Sequence, residues 1–528
     1  MMNNATQTHI MNKPKKHTRW ILGLLFIYLI FLVWGIQNNL PYLAEVDEPA
    51  FVGPALRVAS SGSLNPGWFG QPGSTTIYPM AILFHTWFAL VEGGFLLQSN
   101  PELMAHFNQN FAIYYYLGRL VSIAYALLTL PLVYWLGRRA FRPITGLVGG
   151  GLLIFYPYLL YHAQMTRPDS ATLFYVALSL WLMLRVFDKP TLSRHLWVGL
   201  AVGLSISTKY VLAALGPVYF LICVKHVWQS RKTPRLRAEI AKSMAGLFMV
   251  LAGFALSTPY FLLDFETALD NVLIEARSEH LGADGLSKPG NFWFYLTTAL
   301  PTIMGWPQVV LAYLAIGVAV WRRKQAQLIL ITFLLVYLIG ISISPLHWVR
   351  WALQILPVLV LFAAEGIRKV ADLVVRVGVK RPQLYPHLFI TLLLFVSAQQ
   401  IYDTILHDVR QANPSTRVLA REWLIDNAQP GSKIGQEWYT APLGGTSFEV
   451  VDTWALGQDR VLANYYDEGY DFLVASSGMY SRFYADPERS PNQVQFYESL
   501  GETAKLVQEI TPSTTRGGPI IKIYQLSQ

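Results

Sequence analysis

The chain has 528 residues, 53% of them hydrophobic and only 14% charged, with a mean hydropathy of +0.35. Soluble domains carry about 25% charged residues, so the composition excludes an ordinary soluble enzyme and points to a polytopic α-helical membrane protein. A net charge of +9 and a pI near 9.3 would suit a nucleic-acid binder, but the basic residues sit mostly in short loops between apolar segments, which excludes nucleic acid as a partner.

Met1–Arg19 is a polar, basic tail, expected in the cytoplasm, and Trp20–Ala44 follows without a charge. That apolar stretch is too long for a signal-peptide core and has no clear small-residue cleavage site, so it reads as a retained span. A span needs about 20 apolar residues. On that basis about eleven helices are expected, near 20–37, 112–137, 144–162, 170–187, 195–208, 210–228, 243–262, 304–321, 325–343, 352–367 and 384–402. Cys223, the single cysteine, lies inside one of these and leaves neither an intrachain disulfide nor a cysteine metal site.

Charge tests the layout. The loops 13–19, 138–142, 185–194, 225–242, 322–324 and 368–381 hold more than half of the 41 Lys and Arg, with Asp188, Glu239 and Asp372 as their only acids. The long loop 38–111 has Glu45, Asp47, Glu48, Glu92 and Glu102 against Arg57 alone. The positive-inside rule therefore places the N-terminus inside and loop 38–111 outside. Within that loop, Ile77–Val91 is expected to lie along the membrane surface, and Asn65–Gly73 (NPGWFGQPG) is loop by its turn chemistry.

Between Arg194 and Lys225 about 30 residues must cross twice, roughly 22 Å each way against a core of about 30 Å. Two short helices broken at Ser207-Thr208-Lys209 fit better than one long helix, and an odd span count then puts the C-terminus outside. From about Tyr402 the composition turns polar. Residues 404–528 read as an extracytoplasmic α/β domain, with a helix at Thr416–Asn427 and strands at Lys433–Trp438, Asp471–Ala475, Ala504–Ile510 and Ile520–Leu526.

Ionisable residues at the membrane edge are functional candidates by default. On the expected outer side they are Asp47 and Glu48 after the first span; Arg119 near the end of the second; Arg167 and Asp169 in the turn Gln164–Asp169; Lys209; and Glu275, Arg277, Glu279 and His280 in the loop Asp264–Asn291. His347 and Arg350 form a weaker group. Plainer roles exist for each: a solvated acidic turn with Pro49 opening a helix, a snorkelling arginine, a self-paired Arg/Asp turn, a polar loop histidine. Together they offer carboxylates to act as a base on a hydroxyl and cations to hold a phosphate.

The Asp47-Glu48 pair after the first span, the stretch GRLVSIAYALLTLPLVYWLGRR at 118–139, the Arg-Pro-Asp turn at 167–169, Ser-Thr-Lys-Tyr at 207–210 and the polar C-terminal domain resemble the C-type glycosyltransferases. Within these the similarity is to protein O-mannosyltransferases and the lipid A aminoarabinose transferase, in layout over roughly residues 20–400. The resemblance implies a polyprenyl- or dolichyl-phosphate sugar donor, inverting transfer on the outer face, Asp47 as the base and Arg167 on the donor phosphate. Two departures put a protein acceptor in doubt. Tyr78-Pro79-Met80-Ala81 stands where mannosyltransferases have a Pro-Pro-Leu-Gly-Lys-like element, and no stretch resembles their MIR domains.

The expectation is thus a cell-membrane glycosyltransferase, of a bacterial or archaeal envelope. It moves a monosaccharide to a lipid, glycan or protein hydroxyl, with Glu48, Arg119, Arg167, Asp169, Lys209, His280 and Arg350 binding substrate. No cofactor is expected and no metal ligands are predicted, the sequence leaving a bound divalent cation open, and membrane lipids surround the bundle. Residues 20–403 would be catalytic, and domain 404–528 would cover the cavity and select the acceptor. The competing expectation is a transporter or flippase of lipid-linked sugars, which also needs many spans and buried charge.

Overall fold

A computed structural model describes residues 14–42, 45–92, 101–282, 288–379 and 382–526. Most of the N-terminal tail, Leu43-Ala44, the middle of loop 264–291 and the basic pair Lys380-Arg381 lie outside the described residues. The chain divides into two compact units. One comprises the chain up to Val33, Ala50–Ser278 and Gly285–Thr404; the other comprises Trp34–Pro49, Glu279–Asp284 and Ile405–Gln528. Asp47, Glu48 and His280 therefore belong with the C-terminal unit, where the sequence had suggested the membrane domain.

The first unit is helical because a bilayer leaves no other way for an isolated segment to satisfy its backbone. Eight helices among the described residues are long and apolar enough to cross a membrane, or nine if Pro143–Leu153 and Pro157–Ala163, bent by 71° at Pro157, form one span. Three expected spans fall outside that set. Leu192–Thr208 and Trp306–Trp321 have 17 and 16 residues, and Leu356–Leu373 carries Glu365, Arg368, Lys369 and Asp372. Conversely, Ser74–Glu92, the stretch expected on the surface, is a 19-residue helix that passes on length and composition. Leu136, Met183, Phe333 and Leu361 are among the fully buried residues of one continuous apolar core.

The helix Leu192–Thr208 packs tightly on Leu236–Ser257 through glycine. A Cβ at Gly199 would strike the Gly246 carbonyl, and one at Gly203 the Val250 carbonyl. Small residues spaced in this way let two backbones approach in a membrane. The pair then holds the C-terminal end of the first helix, where Lys209 follows.

The second unit is a five-stranded sheet in the order β2-β1-β3-β5-β4: β1 Lys433–Glu437, β2 Glu449–Thr453, β3 Phe472–Ser476, β4 Lys505–Ile510 and β5 Ile521–Gln525. β1 runs parallel to both β2 and β3, while β5 is antiparallel to β3 and β4. Four strands and the helix Thr416–Asn427 follow the sequence expectation. β2 does not, because EVVDT is a half-exposed edge strand with polar ends and little apolar signal. Successive residues face opposite sides: Leu473 packs with Leu456, Phe483 and Leu500, and Val474 with Leu424, Ile434 and Ile523.

Where β1, β2 and β3 end, the Glu437 carboxylate is buried and accepts the Ser476 N–H (2.7 Å), the Leu456 N–H (3.1 Å) and the Tyr497 hydroxyl. Burial nevertheless outweighs these donors and pushes its pKa up to about 7 from 4.5. The folded state then holds a proton between pH 4.5 and 7 that the unfolded chain has released. The contribution to stability is therefore complete below about pH 4.5 and is lost as pH rises towards 7. At about 1.4 kcal/mol per pH unit the loss is roughly 3 kcal/mol. Hydrogen exchange of the β1 and β3 amides in the full-length protein should report this decline; the same slope in Glu437→Gln would assign it elsewhere.

Candidate functional site

In the first unit, two breaks in helical structure bring charge together. Pro168 ends the turn after Pro157–Ala163 and starts the helix Asp169–Asp188, so Asp169 occupies the first turn, where the helix dipole favours an anion. Ser122 on the helix Phe111–Ala140 holds that turn, its hydroxyl donating to the Arg167 carbonyl at 3.1 Å. The second break is Lys209, whose backbone is extended (φ −161°, ψ 126°) between Leu192–Thr208 and a 3₁₀ turn at Tyr210–Ala214.

The geometry is compact. Lys209 Nζ donates to Asp169 Oδ1 at 3.2 Å, with both side chains largely buried. His162 Nδ1 lies 3.9 Å from Asp169 Oδ2 and receives Arg167 Nη1 at 3.1 Å. The fully buried Gln354 side chain comes within 3.4 Å of Asp169 Oδ1. Arg350, on the turn Val349–Ile355, is near enough for its charge to act on Asp169. Four expected site residues, Arg167, Asp169, Lys209 and Arg350, thus belong to one cluster. Arg119 is fully buried one turn before Ser122 on the same helix face, beside the segment that carries Arg167.

Asp47, Glu48 and His280 lie in the second unit. Asp47 is half-buried in the turn before the helix Pro49–Ser61, whereas Glu48 is fully buried and its Oε2 accepts the Glu45 N–H at 2.9 Å. The two acids thus have different surroundings: Glu48 turns back to close its own loop. The same segment is packed by Arg421, whose guanidinium lies 5.2 Å from the Tyr42 ring while Nη1 donates to the Pro442 carbonyl at 2.6 Å. His280 Nδ1 approaches the Leu281 carbonyl at 3.1 Å.

Two members of the cluster were not anticipated. His162 stands only five residues before Arg167, and a histidine in an apolar run was its one signal. Gln354 had none, since its partner lies 185 positions away. Among the described residues no three His, Cys, Asp or Glu side chains are disposed to hold a metal ion.

Residues 115–258 match the family described as dolichyl-phosphate-mannose-protein mannosyltransferase. No curated protein matches in sequence. The structure is similar to ArnT from Cupriavidus metallidurans, in the apo state (TM-score 0.54) and bound to undecaprenyl phosphate (0.53). Identity is 13% in both, over 96% of this chain and 98% of the other. It is also similar to the apo Archaeoglobus fulgidus oligosaccharyltransferase, with a TM-score of 0.51 and 12% identity over 90% of this chain and 71% of that one. The fold is therefore that of the C-type glycosyltransferases. The matched segment lies within that fold, in the helical first unit.

Proposed function

We propose that the protein transfers a monosaccharide from a polyprenyl phosphate to a hydroxyl acceptor at the outer face of the cell membrane. The observation that carries this reading is the gathering of Arg167, Lys209 and Arg350 about one buried carboxylate, Asp169, at a break in the membrane helices. In such a low-dielectric setting cations hold a phosphate more strongly than in water, and arginine can do so with two parallel hydrogen bonds. The fold shared with ArnT, which was solved with undecaprenyl phosphate, supports a lipid-phosphate carrier.

In the proposed reaction the acceptor oxygen attacks the anomeric carbon from the side opposite the phosphate. The bond to the acceptor forms as the bond to the phosphate oxygen breaks, which inverts the centre. Asp47 takes the hydroxyl proton, and Glu48 fixes the turn that presents it. The lipid phosphate leaves as an anion stabilised by Arg167 and Lys209, so no strong general acid is required. Arg119, Asp169, His280 and Arg350 complete the substrate-binding set, and the scheme uses no cofactor. The C-terminal domain selects the acceptor, which is a lipid, glycan or protein hydroxyl.

Incubating the purified protein with a labelled polyprenyl-phosphate sugar tests the reading against a flippase. Release of polyprenyl phosphate supports transfer; movement of intact donor across liposomes without release overturns it. The orientation rests on loop charge. Protease should remove a tag after Gln528 in cells with an opened outer envelope and spare a tag at Met1; the reverse pattern would refute an external C-terminal domain.

A further inference from the structure

The residues on either side of Lys209 are held by an element that the phosphate reading does not use. Thr208, fully buried, ends its helix, and its carbonyl accepts the Gly73 N–H at 3.3 Å. Its hydroxyl meets the Thr75 hydroxyl at 2.7 Å, also buried. On the far side, the Tyr210 hydroxyl donates to the Phe69 carbonyl at 2.7 Å. Phe69 and Gly73 belong to the Gly- and Pro-rich connection between the helices Pro49–Ser61 and Ser74–Glu92, and Thr75 to the first turn of the second helix, which continues it.

That connection is itself fixed in several places. Asn65 Nδ2 donates to Asp264 Oδ2 at 2.8 Å, and the Phe69 N–H to Asn271 Oδ1 at 3.0 Å. The Thr75 carbonyl accepts the Tyr125 hydroxyl at 2.7 Å, and Thr258 Oγ1 donates to Ser74 Oγ at 3.0 Å. Gly73 makes the close approach possible: its φ is +55°, a region side chains rarely adopt, and a Cβ there would lie 3.0 Å from the Phe51 ring.

A break in a membrane helix exposes backbone groups that must find partners in protein, because lipid offers none. Here Lys209 keeps its own backbone bonds, to the Ser205 carbonyl and the Leu212 N–H, while the Gly73 N–H meets the Thr208 carbonyl and hydroxyl bonds of Thr208 and Tyr210 tie the residues on either side of it. We propose that the connection 65–76 is a clamp that sets Lys209 for the donor phosphate, with Thr75 and Tyr210 as positioning residues. The lysine has a flexible four-carbon stem, so its ammonium is only as well placed as the backbone beneath it. The flanking residues are tied on both sides, Thr208 through its carbonyl and hydroxyl and Tyr210 through its hydroxyl, and Asp169 holds the ammonium. This inference rests on the phosphate role given to Lys209.

The test is binding of undecaprenyl phosphate to the detergent-purified full-length protein, with the melting temperature measured in parallel. Thr75→Val removes the hydroxyl but keeps the shape, and leaves the Thr208 hydroxyl without that partner. The expected result is about fivefold or greater loss of affinity for Thr75→Val and for Tyr210→Phe. The melting temperature should stay near that of the native protein, and Thr75→Ser should recover binding. A purely structural role would lower the melting temperature in step with affinity, and serine would give no selective recovery. Wild-type affinity in folded Thr75→Val and Tyr210→Phe, with binding lost in Lys209→Met, overturns the clamp and leaves the phosphate site standing. Unchanged binding in Lys209→Met removes the phosphate reading itself. Should Thr75→Val fail to fold, Tyr210→Phe decides on the same criteria.

Discussion

Asp47→Asn is expected to fold, to bind the lipid donor and to turn over at least ~10²-fold more slowly, since a positioned carboxylate base typically contributes ~10²–10⁴ in rate. Asparagine keeps the size and most of the hydrogen bonding but cannot take the proton. The structure separates Asp47 from its neighbour: Glu48 is fully buried with its carboxylate turned back on the Glu45 N–H, whereas Asp47 is half-buried. Glu48→Gln retains an oxygen that can accept that N–H, so its loss should be smaller. The competing role for Asp47 is to cap the helix Pro49–Ser61, where asparagine serves as well as aspartate. Near-normal kcat in a folded Asp47→Asn protein would therefore end its candidacy as the base.

The cation cluster should fail in a different way. Arg167→Ala is expected to weaken binding of undecaprenyl phosphate by about tenfold or more, because hydrogen bonds to charged groups are worth ~1.5–3 kcal/mol. Lys209→Met should lose binding and stability together, since it strands the buried Asp169 carboxylate, and breaking a buried ion pair from one side costs ~3–5 kcal/mol. The double variant Lys209→Met/Asp169→Asn separates the two effects. It removes the stranded charge, so melting temperature should recover towards that of the native protein while affinity does not. Native affinity in the double variant, or in Arg167→Ala, would take that side chain out of the phosphate site.

The sequence by itself determined the membrane class, most of the helices and the small α/β domain, for a physical reason. A bilayer demands long apolar helices, and a soluble sheet demands short apolar strands, so both leave local patterns. Even the break at Lys209 was legible, because the residues from 195 to 224 are too few for two full crossings. Arg167, Asp169 and Lys209 were identifiable as ionisable groups at membrane edges. Tertiary structure alone decided what these groups meet. His162, Asp169, Lys209 and Gln354 converge from three separate stretches of chain, and no local pattern encodes a contact set by helix packing. Glu437 was one acid at the end of a strand until the ends of β1, β2 and β3 came together around it. The membership of Asp47 and Glu48 in the C-terminal unit was equally hidden. Composition assigns a segment to water or lipid, but only the folded contacts determine which body it packs against.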